Sequence, residues 1–301
     1  MDRHSLFQES FSVIGKSHIP EINYMEINIP LFQGLSLKIS DTLEGKMTYP
    51  TGRLQKGFLL LDQGQGLAEE AVGFGLPVLK RGLQTIFPGS AALTCVQRDS
   101  TWEITALFKL NLVEKISRGR NENVENRLLY AIKNFLAAGI RRLPMLRDLL
   151  TTTSNKLRQI FNWETTYADA GFSIEVKMIY TIEAKMGKVT VEIDTSVLPP
   201  HITEVVVMNE QGAHHFDRYL DTSGVFLQGN EIGCWDEVNA KEARFESSAR
   251  QVAFRLGQVK SARLFSGREL IDSRLAWAGF GYSFPPSIKK LRYEMRIERL
   301  A

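Results

Sequence analysis

Apolar and polar residues alternate with period two over most of this chain, and that period predicts strands. Met25, Ile27 and Ile29 alternate up to Pro30, and Leu35, Leu37 and Ile39 repeat the pattern before polar Ser40-Asp41-Thr42. Gly57 to Asp62 is a continuous apolar run, as in a strand covered on both faces. Trp102, Ile104, Ala106, Phe108, Leu110 and Leu112 occupy every second position, predicting a long half-buried strand that ends near Lys115–Gly119. Between these runs, Gly64, Gly66, Gly73, Gly75, Gly82 and Gly89, with Pro77 and Pro88, predict short strands and tight turns.

The clearest alternation begins at Phe172 and runs through Ile174, Val176, Met178, Tyr180, Ile182, Ala184 and Met186, interleaved with Glu175, Lys177, Thr181, Glu183 and Lys185. Gly187-Lys188 supplies a turn, and Val189, Val191 and Ile193 return, so Phe172–Ile193 reads as an antiparallel hairpin with one wet face. Glu204–Met208, then Val252, Phe254 and Leu256, then Leu291, Tyr293, Met295 and Ile297 complete the strand-like segments.

One stretch breaks the rule. From Val124 to Trp163 the apolar residues recur at three and four, through Leu128, Ile132, Phe135, Leu136, Gly139 and Leu143, then Leu146, Leu149, Leu150, Thr153, Leu157, Ile160 and Phe161. Pro144 interrupts the stripe, because a proline inside a helix lacks an N–H donor and clashes with the preceding turn. Asn121 or Asn123 can cap the start. Strands on both sides of one helical segment, without β–α–β alternation, predict a mainly β fold. The expected form is a large antiparallel β-sandwich with a central helical insertion, a broken helix or helix pair, over about residues 121–161. Residues 1–301 read as a single β-rich domain, with Pro199-Pro200 as the alternative boundary.

Composition changes this picture little. The chain is 44% hydrophobic and 24% charged, with a formal net charge of +3, which is too small to mark a nucleic-acid binder. Locally the balance differs. Arg127, Lys133, Arg141, Arg142, Arg147, Lys156 and Arg158 on the helical stretch face only Glu125 and Asp148 as acids. No run approaches the roughly 20 apolar residues needed to span a bilayer, and Met1-Asp2-Arg3-His4 has no apolar signal core behind it. Cys95 and Cys234, far apart in sequence, read as two buried thiols in a reduced, cytoplasmic setting.

Candidate chemistry gathers between Asn209 and Val238. This segment holds two of the five histidines, one of the four tryptophans and one of the two cysteines. Saccharide recognition needs such a mixture, a flat aromatic face for the C–H side of a sugar ring and carboxylates or imidazoles for its hydroxyls. His215, Glu231, Asp236 and Glu237 are the candidates for acid–base work, with His214, Asp217, Arg218 and Trp235 as ligand contacts. Trp277 and Tyr282, from the aromatic stretch Trp277–Pro286, are further candidate contacts. If His215 and Asp217 lie on one strand, they point the same way.

No metal site or cofactor is expected: His214 and His215 are adjacent, and adjacent residues on a strand face opposite sides. Gln63-Gly64-Gln65-Gly66-Leu67-Ala68-Glu69 is a turn and not a phosphate loop, since Glu69 stands where a dinucleotide fingerprint has a small residue. Two functions follow as expectations. One is a carbohydrate-binding or carbohydrate-processing β-sandwich, its enzymatic character and oligomeric state not legible in the sequence. The other is an interaction protein whose helical face, through Arg141, Arg142 and Arg147, binds an anionic membrane surface, acidic protein or nucleic acid.

Overall fold

The computed structural model describes residues 26–32, 34–40, 57–67, 72–82, 84–118, 164–272 and 275–300. The expected helices over 121–161, with Arg141, Arg142 and Arg147, lie outside the described residues. The chain divides into two compact units, one made of residues 1–112 and 170–301, the other of residues 113–169. In the second, the described backbone is the outer ends of two long strands.

The protein is mainly β. Four strands, β1 (Glu26–Pro30), β2 (Leu35–Ser40), β3 (Leu59–Asp62) and β4 (Gln65–Gly66), make a small sheet in sequence order. The chain continues through β5 (Gly73–Arg81), β6 (Gln84–Arg98), β7 (Thr101–Arg118), β8 (Glu164–Glu183) and β9 (Lys188–Asp194). Next come β10 (Glu204–Gly212), β11 (Arg218–Asp221), β12 (Phe226–Gln228) and β13 (Asp236–Glu237). The last are β14 (Glu242–Ser247), β15 (Val252–Gly257), β16 (Arg263–Asp272), β17 (Leu275–Phe284) and β18 (Lys290–Arg299). Strands β5 to β18 form one 14-stranded sheet in the order β12-β11-β14-β15-β18-β9-β8-β7-β6-β5-β10-β17-β16-β13. Its described registers are antiparallel, as at β10–β17, β8–β9 and β15–β18.

Alternation decides which face is buried. In β18, Leu291, Tyr293, Met295 and Ile297 are buried while Arg292, Glu294, Arg296 and the start of the strand face water. The predicted hairpin forms: β8 and β9 pair from Glu183–Lys188 to Lys177–Asp194, and Gly187 takes the left-handed φ of 58°. One detail differs. The alternation written through Met186 stops at Glu183, because Ala184–Met186 winds into a 3-10 turn and leaves Met186 exposed.

The buried faces of distant strands meet, so the long sheet folds back over itself. Phe254 of β15 packs edge-on against Phe74 of β5 at 5.0 Å, and Phe280 of β17 lies 5.8 Å from the same ring. Each buried aromatic ring contributes roughly 1.5–3 kcal/mol by leaving water. Tyrosine hydroxyls close the interior. Tyr180 donates to the Gly75 carbonyl at 2.5 Å, Tyr293 to the Asn209 side-chain oxygen at 2.8 Å, and Tyr282 to the Gly257 carbonyl. At Gly75 φ is +71° and a β-carbon would lie 2.4 Å from the Tyr180 ring, so both conformation and space require glycine.

Backbone and side-chain bonds fasten the small sheet to the large one. Phe58 and Phe74 exchange backbone bonds, and the buried Gln211 amide accepts from Leu60 N–H and donates to the Phe58 carbonyl. Buried Asp62 takes Arg299 at 2.5 Å and Arg250 at 3.8 Å, tying β3 to the end of β18. Gln63-Gly64, both at positive φ, form the turn expected in place of a phosphate loop.

This assignment of faces has a direct check. Val176→Asp, in the inner face of β8, is expected to destabilise by about 3–5 kcal/mol in urea unfolding, because it buries an unpaired charge. Lys177→Gln, one residue on and exposed, should stay within about 0.5 kcal/mol.

Candidate functional site

Strand β10 determines where polar groups gather. The apolar run Glu204–Met208 does not end in a loop; the strand continues through Asn209, Glu210 and Gln211 to Gly212, and all three polar side chains are buried. Its inward set is Val207, Asn209 and Gln211, paired by register with Tyr282, Phe280 and Ala278. Asn209 accepts from the Gly75 N–H at 3.0 Å as well as from Tyr293, so its polarity is satisfied inside the fold.

The outward set is Met208, Glu210 and Gly212, opposite Gly281, Gly279 and Trp277. Strand β16 extends the same rows with Phe265, Gly267 and Glu269. Glu210 therefore stands in a row with Gly73 on one side and Gly279, then Gly267, on the other. It is 3% exposed, and burial raises its carboxyl pKa to about 8, opposed by the Val72 N–H that it accepts and reinforced by the charge of Glu269. At neutral pH Glu210 carries its proton. Glu269 accepts a hydrogen bond from the Trp277 indole N–H at 3.2 Å.

Two loops converge on this end of β16 through Arg268. Its guanidinium donates to the Ala213 carbonyl at 3.0 and 3.3 Å, and its backbone N–H donates to the Gly233 carbonyl at 2.9 Å. Ala213 precedes His214 and His215; Gly233 precedes Cys234, Trp235 and Asp236. Trp235 lies on Trp277 with centroids 4.7 Å apart and planes 20° apart. Leu59 and Cys234 complete this apolar cluster, which is separate from the main core. Cys95 and Cys234 are half-buried and form no disulfide, and burial pushes the Cys95 thiol up.

The expected site residues thus separate into groups. Trp235 and Trp277 come together, with His214 and His215 on the adjoining turn; on exposed β13, Glu237 pairs with Phe265 in the outward row, whereas Asp236 pairs with Ser266 in the inward one. Glu231 is spent locally: its carboxylate accepts the Gln228 N–H at 3.0 Å and caps the 3-10 turn Gly229–Glu231. Asp217 and Arg218 sit where β11 meets β14 and β12, and the Asp217 carbonyl accepts from Gly229. His215 and Asp217 do not share a strand, because residues 213–215 make a turn and β11 begins only at Arg218, so period two does not align them. Tyr282 is wholly buried on the inner face, remote from the tryptophan pair by the alternation of β17. Glu210 and Glu269 were not candidates in the sequence. The only signal for them was strand alternation carried past Met208 and the glycines at 267, 279 and 281.

A hollow of about 190 Å³ lies elsewhere, over β11, β14 and β15. It offers no available chemistry. Arg244 is paired with Glu246 at 2.7 Å, and Asp221 is bonded to Ser223 and the Val225 N–H. Arg255 Nε lies 3.0 Å from Glu242 but off the hydrogen-bonding direction, so that contact is an ion pair alone. No group of three His, Cys, Asp or Glu side chains among the described residues is arranged to hold a metal.

Glu210 makes stability depend on pH in a defined window. Its folded pKa lies above its unfolded value near 4.5, so the native state holds the proton longer. That contribution is complete below pH 4.5 and is lost as pH rises toward 8, at roughly 1.4 kcal/mol per pH unit. Urea unfolding of wild type and Glu210→Gln between pH 5 and 8 should show this slope in wild type and its loss in the variant.

No known family model matches the chain, and no curated protein does. Among solved structures the chain is similar to HI1317, with a TM-score of 0.40 and 7% identity over 94% of this chain and 98% of that one. It is also similar to the Slr1438 protein from Synechocystis sp. PCC 6803, with a TM-score of 0.32 and 9% identity over 91% of this chain and 96% of that one. Likenesses of this size carry no argument about fold or activity.

Proposed function

We propose that this is a carbohydrate-binding or carbohydrate-processing protein of two-layered β-sandwich form, with its site on the outer faces of β10, β17 and β16. The observation that carries the reading is the stacked Trp235–Trp277 pair, set among carboxyl groups in different states of exposure. Indole faces take the C–H side of a sugar ring, and carboxylates hold its hydroxyls. Glu237 is exposed in the outward row of Phe265 and Gly281, where the Trp235 ring lies, and His214 is exposed on the neighbouring turn. Glu210, protonated at neutral pH, stands near Glu269, and such a pairing of carboxyl groups is what acid–base processing of a glycosidic or hemiacetal centre draws on.

Thermal shift against a glycan panel tests this. A ligand at a hundredfold excess over its dissociation constant stabilises by about 2.7 kcal/mol. Glu237→Gln should weaken a hit about tenfold, whereas Glu231→Gln should leave it unchanged, since Glu231 is occupied in its cap. No shift with any glycan would remove the reading.

A second reading rests on the charge of the segment whose periodicity predicts a helix, seven basic against two acidic side chains between Val124 and Trp163. In that reading Arg141, Arg142 and Arg147 bind an anionic partner. Replacing the three by glutamine should weaken sedimentation with anionic vesicles, and salt should do the same by screening. Wild-type protein that ignores such vesicles at low salt excludes it.

A further inference from the structure

Glycine inside a strand weakens it, and three glycines on one face of two adjacent strands mark a place where something lies against the backbone. Gly267 and Gly279 stand directly opposite each other on β16 and β17, and Gly281 is two residues further along β17. A β-carbon at Gly267 would come within 2.5 Å of the Trp235 backbone nitrogen and 2.9 Å of the Trp277 ring; one at Gly281 would come within 2.9 Å of the Trp235 ring. Gly267 and Gly281 therefore floor a slot the thickness of one aromatic ring, walled by Trp277 and filled by Trp235, while Gly279 makes room for the backbone of β10.

We propose that this slot is a ring-binding subsite and that Trp235 is its lid: the indole swings out and the apolar face of a pyranose takes its place against Trp277. The proposal rests on the saccharide reading above and assigns it a subsite. Three observations support it. Trp277 is buried and anchored through its N–H to Glu269, whereas Trp235 keeps part of its surface in water and is held by ring contact. The backbone beside Trp235 is pinned on both sides, by Gly233 to Arg268 and by Asp236 to Ser266, so the ring can rotate out without opening the loop. Lastly, a slot built only to seat a side chain has no use for a buried carboxyl. Glu210 stands in the row of Gly279 and Gly267 on the same face, where a carboxylic acid can donate to a sugar oxygen once the indole has left.

The exchange costs little in principle. A ligand ring replaces one stacking contact by another, and the apparent affinity is lowered only by the fraction of molecules in which the lid is closed. Removing the lid should therefore tighten binding.

The test uses the full chain labelled with 5-fluorotryptophan, with the Trp235 fluorine resonance assigned through Trp235→Phe. In ligand-free protein the Trp235 resonance should show exchange broadening in relaxation dispersion, while that of Trp277 stays sharp. For a saccharide that shifts wild type, Trp235→Ala should bind about tenfold tighter, Trp235→Phe should fall between, and saturation should move the Trp235 resonance to its exposed position. A Trp235 resonance as static as that of Trp277 overturns the lid, as does weaker binding by both Trp235 variants; in the latter case the saccharide reading stands, with Trp235 as a fixed platform. If no saccharide binds wild type or Trp235→Ala, the saccharide reading fails, and with it the pyranose subsite, whatever the fluorine spectrum shows.

Discussion

Three tyrosine hydroxyls hold this fold together across its interior. A sheet of 14 strands that folds back on itself must keep distant strands in contact, and ring packing alone does not specify register. Tyr180 joins β8 to β5, Tyr282 joins β17 to β15, and Tyr293 joins β18 to Asn209 on β10. Each phenol spans the core with an apolar ring and ends on a backbone or amide oxygen that accepts its hydrogen bond. Burial raises the phenol pKa of all three, so they remain neutral donors.

That arrangement makes β10 serve two purposes. Inward, Asn209 and Gln211 are polar groups made safe by fixed partners, one binding Gly75 and Tyr293, the other the backbone of residues 58 and 60. Outward, by the same alternation, Glu210 is delivered into a row of glycines. A buried acid without a cationic partner keeps its proton, so the outer face holds a carboxylic acid where most sheets hold a solvated carboxylate.

The rest of the outer surface differs in kind. Across β9, β18, β15 and β14 it carries charges in pairs: Lys188 between Glu183 and Glu294, Arg255 near Glu242 and Glu298, and Arg244 with Glu246. Such exposed pairs add little stability, but they keep a broad sheet solvated. Over β10, β17 and β16 the Lys80–Glu204–Arg263 pairs at one end give way at the other to glycine, tryptophan and a shielded acid, and that contrast singles out the candidate site.

Much of the fold was legible because strand alternation is a local property. The hairpin at Gly187, the strands that carry Ile29, Ile39 and Ile297, and the buried faces of β7 and β8 follow from period two, since each side chain's face is fixed by its neighbours' spacing. The aromatic members of the candidate site, Trp235 and Trp277, were also visible as residues. Their meeting was not, nor was the role of Glu210 or the release of Tyr282, Glu231 and Asp217 to structural duties. Those depend on which strands lie side by side: β10 beside β17, and β17 beside β16, brings together residues 210, 267, 279 and 269. The sequence by itself determined the β architecture and the faces of its strands. Only the tertiary structure decided that polar Asn209–Gln211 continue a buried strand, because the partners that satisfy them come from Gly75, Tyr293, Phe58 and Leu60, more than 80 residues away in the chain.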